Sequence, residues 1–267
     1  MTTRRSLRQG SSAIHRTTDM RPLAARSVLA VLLAAAPASR PAAAESQAHA
    51  PDGALATLLL ADFDDHPVGE PIGTGGAELG EPIIVDADVS AIVEQPVGMN
   101  RVLAMEADSL TTGSGVTFEL LGGVGVEEGW TAFRFSLAFP ATVGVNIYVR
   151  EPGGAAQAFT TLALSPDGSI VASDEAGVVG EIGAYSAAQI LRFSIEHDVD
   201  AGTYDVLVND VVLLDDRAHG VAGSGIGRLI FNFEFGQGPT RVLIDNVNVV
   251  ATLPDQIFLD GFEAAPF

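Results

Sequence analysis

The stretch "LRFSIEHDVDAGTYDVLVNDVVLL", Leu191–Leu214, decides how the chain is read. On an extended backbone Leu191, Phe193 and Ile195 fall on one side, and Arg192, Ser194, Glu196 and Asp198 on the other. Asp200-Ala201-Gly202 then supplies a short hairpin loop, with glycine where positive φ is needed. Tyr204, Val206 and Val208 resume the alternation, and Asn209-Asp210 marks a second tight turn. Three strands joined by two hairpins are therefore predicted. The acids Glu196, Asp198 and Asp200 admit two readings, a row of catalytic carboxylates or the wet rim of a hairpin, and their outward parity favours the rim.

The same period of two recurs outward from this stretch. Phe133, Phe135, Leu137 and Phe139 alternate with Arg134, Ser136 and Ala138, and Val145, Ile147 and Val149 with Asn146, Tyr148 and Arg150. Leu229, Phe231, Phe233 and Phe235 repeat the pattern. Clusters such as "REPGGAAQ", "SPDGS" and "FGQGPT" punctuate these segments, and no helix-length periodic run follows the N-terminal region. The pattern predicts an all-β protein of antiparallel sheets, each with one buried and one wet face.

The first 44 residues differ from the rest. Arg21 and Arg26 precede the apolar run Val28–Ala36, and Ala42-Ala43-Ala44 offers small residues for cleavage. That order is expected of a secretory signal peptide, with ordinary proportions if it starts at Met20; Arg4-Arg5 partly matches a twin-arginine signal. The domain reading is residues 1–44 signal peptide, 45–53 linker, 54–251 sandwich and 252–267 C-terminal tail. The expected location is secreted, periplasmic or on the cell surface, with no transmembrane segment.

Beyond residue 44 the chain holds 7 basic and 33 acidic residues, a formal net charge of −26, and it lacks lysine and cysteine. A field of that sign repels phosphate backbones and argues against nucleic-acid binding. Without cysteine the fold has no disulfides, so its stability must come from one large core.

Three segments carry a family resemblance: "LLLADFDDHPVGEPIG", "AAQILRFSIEHDVDAGTYDVLVNDVVLL" and "RVLIDNVNVV". Together they resemble the concanavalin A-like lectin/glucanase superfamily, which includes laminin-G-like domains. The resemblance implies a two-sheet antiparallel jelly-roll sandwich whose last strand lies beside its first. It does not fix a function, since lectins, hydrolases, lyases and inert spacers share that architecture. Family-16-like glycosidases carry E-x-D-x-x-E, which is missing here; Asp86, Asp88 and Glu94 have the wrong order. The Arg, Gln-x-His and Tyr strands of alginate-lyase-like members are missing too, and seven arginines on so acidic a body suit anionic polysaccharides poorly. Neither "GSG" at 113–115 nor "AGSGIGR" at 222–228 makes a nucleophile elbow.

Two candidate sites remain. If the first and last strands are neighbours, Asp62 and Asp64 approach Asp245 and Asn246, a set of oxygens able to hold a structural calcium; the alternative is that these side chains cap loops and bond backbone amides. His49, His66, His197 and His219 have no zinc-like spacing, and His197 has inward parity. Glycan binding needs flat aromatic surfaces and planar polar groups, and only Trp130, Tyr148, Tyr185 and Tyr204 carry amphipathic rings. Tyr148, outward with Asn146 and Arg150, forms the expected ligand patch, against the plainer reading of an isolated surface tyrosine. The end "PDQIFLDGFEAAPF" is similar to a short I-F-x-D-G-F-E terminal tag of exported gram-negative bacterial proteins. The expectation is a non-catalytic module that recognises an extracellular glycan or surface protein. The alternatives are a structural or display domain and an atypical polysaccharide hydrolase or lyase.

Overall fold

A computed structural model describes residues 54–72, 76–96, 100–108, 113–154, 158–219, 225–234 and 239–252. The segments expected to be signal peptide and linker, the tail from residue 253 onward, and Phe235 lie outside the described residues. Fifteen strands are present among those described: β1 (Leu55–Ala61), β2 (Ile84–Val85), β3 (Ser90–Glu94), β4 (Val102–Ala107), β5 (Gly115–Glu119), β6 (Trp130–Ala138), β7 (Val145–Arg150) and β8 (Ala158–Leu164), then β9 (Ser169–Asp174), β10 (Gly177–Ala184), β11 (Ile190–Asp198), β12 (Thr203–Val208), β13 (Val211–Ala218), β14 (Arg228–Phe233) and β15 (Thr240–Thr252). The helices among the described residues are two short 3-10 turns.

The strands form two antiparallel sheets, the all-β architecture that the alternation predicts and the two-sheet jelly-roll sandwich that the family resemblance implies. One sheet has eight strands in the order β13-β12-β11-β6-β15-β4-β3, with β1 also on β15; the other has seven, β10-β9-β8-β7-β14-β5-β2. The first strand does pair with the last, as the family resemblance implies.

Parity puts the predicted apolar residues between the sheets. Phe133, Phe135, Leu137, Leu191, Phe193 and Ile195 are buried from one side, and Val145, Ile147, Val149, Leu229, Phe231 and Phe233 from the other. Phe135 stacks on Phe193 at 5.1 Å between centroids and meets Phe231 of the opposite sheet edge-on at 5.0 Å. Each such side chain removed from water contributes about 1.5–3 kcal/mol, enough for a core without disulfides.

The turns of the opening stretch form as expected. Gly202 has φ +69°, and Asn209 and Asp210 have φ +52° and +64°, the primed turn that matches strand twist. Asp198 caps the β11–β12 loop, accepting a 2.8 Å bond from the Ala201 amide. Glu196 departs from the expected wet rim: it is buried, and its Oε1 accepts the Ser194 hydroxyl. Its neighbours across the sheet are Ala132 of β6 and Asp205 of β12, and the bond to Ser194, two residues back on its own strand, holds the side chain along the sheet instead of out into water.

Candidate functional site

The 13-residue strand β15 runs along β6 on one side. On its other side it changes partner: Thr240–Ile244 pair with β4, and Val247–Thr252 with β1. Asp245 and Asn246 fall in the gap between the end of one partner and the start of the other. The register against β6 slips there, Asp245 facing Ser136 and Asn248 facing Arg134, and Asn246 takes φ +54°. Asparagine tolerates that left-handed conformation better than most residues, so this bulge is written locally as well as by pairing.

A cleft of about 230 Å³ opens at this discontinuity. Its polar lining is Asn100, Ser136, Arg192, Asp245 and Asn246, and its apolar lining includes Val102, Ile190 and Leu243. Asp245 is buried, and its two carboxylate oxygens accept from the Asn246 amide and from Asn246 Nδ2, each at 2.8 Å. Burial pushes the Asp245 carboxyl up to about 6; the charges of Asp64 and Asp62 add to the rise, and the Asn246 amide opposes it.

Asp62 and Asp64 thus lie close enough to Asp245 to repel it, but their bonds are to the loop. Asp62 Oδ1 accepts from the Asp64 amide at 3.1 Å, and Asp64 Oδ1 from the Arg101 amide at 3.2 Å. Phe63 between them holds φ +64° with its ring fully buried. That conformation costs about 1–2 kcal/mol, which burial of the ring offsets. Among the described residues no three His, Asp or Glu side chains gather at metal-ligating distance.

Asn146, Tyr148 and Arg150 share the outer face of the seven-stranded sheet, half-buried, opposite Asn232, Ile230 and Arg228 of β14. The Arg150 guanidinium lies over the Tyr148 ring, 4.5 Å from its centroid, so one face of that ring is already covered. The other amphipathic rings are buried: Trp130, Tyr185 and Tyr204 all lie below a tenth exposure. His197 is fully buried against Phe133, Phe159 and Tyr204, consistent with its inward parity. Asn100, Ser136 and Arg192 carried no signal in the sequence. Their parity marks Ser136 and Arg192 as outward, but only the change of strand partner makes a cleft beside them.

No protein-family model matches the chain, and no curated protein matches it by sequence. Solved structures do resemble it. A sialidase is 12% identical with TM-score 0.51 over 62% of this chain, a region spanning 16% of the sialidase. A conserved carbohydrate esterase from Shiga toxin-encoding bacteriophage phi24B is 11% identical with TM-score 0.50, covering 75% of this chain and 100% of that one. The catalytic domain of the glycoside hydrolase family 131 protein from Coprinopsis cinerea is 12% identical with TM-score 0.48, covering 73% and 96%. Likeness at this identity is one of fold, a two-sheet β-sandwich.

Proposed function

We infer that this protein is an exported, non-catalytic module for recognising extracellular glycans, and that the sugar sits in the Asp245 cleft. The observation carrying the reading is the break in strand pairing, which leaves a carboxyl and two carboxamides beside Ser136 and a partly apolar floor. Planar amide and carboxyl groups bond vicinal hydroxyls, and Val102, Ile190 and Leu243 suit the C–H face of a sugar ring. A hydrolase of the two-carboxylate kind needs a second acid about 5–9 Å away. Asp245 is the single acid among the residues lining the cleft; Asp62 and Asp64 lie near it but outside that lining, each accepting a loop amide, which favours binding over cleavage.

A second reading places the ligand on the outer face of the seven-stranded sheet. It is favoured by Tyr148, the one amphipathic ring that is not buried, which stands beside Asn146 and Arg150. A glycan array probed with the protein, Asp245→Ala and Tyr148→Ala decides between the two. Loss of binding in the first variant alone supports the cleft, and loss in the second alone moves the site to the Tyr148 face. A blank array overturns glycan recognition in favour of a display domain or a surface-protein partner. Release of reducing ends from any bound oligosaccharide overturns the non-catalytic assignment.

A further inference from the structure

Beyond residue 44 the chain holds seven arginines, all among the described residues. Five are engaged. Arg101 donates to the backbone carbonyls of Asp64 and His66. Arg217 pairs with Asp174, Arg228 with Glu119, and Arg241 with both Glu94 and Glu106. Arg150 lies on Tyr148. The remaining two, Arg134 and Arg192, make no ion pair among the described residues, although acids outnumber bases 33 to 7 in this part of the chain.

These two are neighbours. Both are exposed on the outer face of the eight-stranded sheet, Arg134 of β6 opposite Ser194 and Arg192 of β11 opposite Ser136. That offset makes them a diagonal pair across adjacent antiparallel strands, with a Cα spacing of about 7–8 Å. Two like charges so placed repel; the nearest acids of this face are Glu196, diagonal to Arg134 on its other side and accepting from Ser194, and Asp245, which accepts from Asn246, and neither forms an ion pair with the two arginines. Arg192 also forms one wall of the Asp245 cleft.

We propose that Arg134 and Arg192 bind the carboxylate of an acidic sugar whose hydroxyls are held in the adjoining Asp245 cleft. This deepens the glycan reading and rests on it. A guanidinium presents its N–H groups as a planar fork that matches a carboxylate bidentately, and two forks on a diagonal give such a group an orientation as well as a charge. The net negative charge of the chain works against an anionic ligand at long range. At about 0.15 M salt, however, that field is screened beyond about 8 Å, so the two adjacent guanidiniums dominate at contact.

Titration calorimetry with matched acidic and neutral oligosaccharides, galacturonate against galactose and glucuronate against glucose, tests this. The acidic member of at least one pair is expected to bind about tenfold tighter or more, the scale of a charge-assisted contact. Arg134→Ala, outside the cleft lining, should reduce that preference by about tenfold and leave neutral-sugar affinity unchanged; Arg192→Ala, in the cleft wall, should lower acidic-sugar affinity about tenfold more than neutral-sugar affinity. Arg150→Ala, on the other sheet, should change neither. Both arginines are exposed, so the variants should melt at the wild-type temperature, which is checked first. Equal affinity for the acidic and neutral members of both pairs overturns the proposal while the glycan reading stands, as does a preference that survives the double variant. If no sugar of either kind binds, both the proposal and the glycan reading are overturned.

Discussion

Arg217 Nε donates to Asp174 Oδ2 across 3.0 Å, and the two residues belong to different sheets. Arg217 is on β13, the edge of the eight-stranded sheet, and Asp174 ends β9, next to the edge strand of the seven-stranded one. The Tyr204 hydroxyl of β12 bonds the same carboxylate oxygen at 3.3 Å. The Asp174 side chain is wholly shielded from solvent, so one buried carboxylate fastens the two sheets together along this flank.

Asp174→Ala should therefore lower the free energy of unfolding by about 2–3 kcal/mol, since it strands a buried tyrosine hydroxyl and a charged donor. The estimate sits at the low end for a broken buried pair because Arg217 is more than a third exposed and regains water. Urea denaturation measures it. A loss below about 1 kcal/mol would show that the flank is held by packing alone.

Close to that clamp lie two buried imidazoles, His197 and His219, with ring centroids 5.9 Å apart. Burial pulls His197 down to about 3, and the charge of His219 acts the same way. Burial also lowers His219, against the pull of Asp174. A histidine in the unfolded chain titrates near about 6.5. Between these values the unfolded state binds more protons, so stability is complete above pH ~6.5 and falls as pH drops toward ~3, by at most about 1.4 kcal/mol per unit for His197. Urea midpoints should decline from pH 6.5 to 4.5, and His197→Gln should flatten that decline. Parallel pH profiles for the two proteins would remove His197 as the cause.

What the sequence makes legible is local. The parity of Phe133, Phe135 and Phe193, the positive φ of Gly202 and the Asn209-Asp210 turn depend on a few adjacent residues, and all form as the alternation predicts. The strand order depends on distant pairings, and only the adjacency of first and last strands was accessible, through the family resemblance. The cleft was not legible, because it comes from β15 leaving β4 for β1, and Asn100 and Ser136 are ordinary polar residues until that happens. Asp245 and Asn246 stood out in the sequence as calcium ligands. Asp174 drew no notice, since nothing near it in the chain foretells Arg217 or Tyr204.

Calcium provides a separate test at the loop following β1. The Asp62 and Asp64 carboxylates each accept a backbone amide on Oδ1, and among the described residues no three His, Asp or Glu side chains gather at ligating distance here. Millimolar calcium against chelator should leave the melting temperature within about 2 °C, a shift equivalent to about 0.5–1 kcal/mol for a domain of this size. A rise well beyond that, abolished by Asp62→Asn or Asp64→Asn, would place a structural ion beside Asp245.

Asp245 itself carries a pH dependence opposite in sign to that of His197. Its carboxyl is raised to about 6 from an ordinary value near 3.8, first by burial and then by Asp64 and Asp62. Between those values the folded state binds more protons than the unfolded one. The contribution of the protonated acid is therefore complete below about pH 3.8 and is lost as pH climbs through 6, leaving a poorly solvated charge in the cleft at neutral pH. Asp245→Asn removes that charge and keeps an oxygen to accept the Asn246 amide. It should be more stable than the wild type at pH 7 by about 1–2 kcal/mol, allowing for the partial solvation of an open cleft, and no more stable at pH 4. Urea unfolding of both proteins at the two pH values measures the difference. A variant destabilised equally at both would show that the carboxylate is fully stabilised by its neighbours, and that this cleft holds no strained acid for a ligand to relieve.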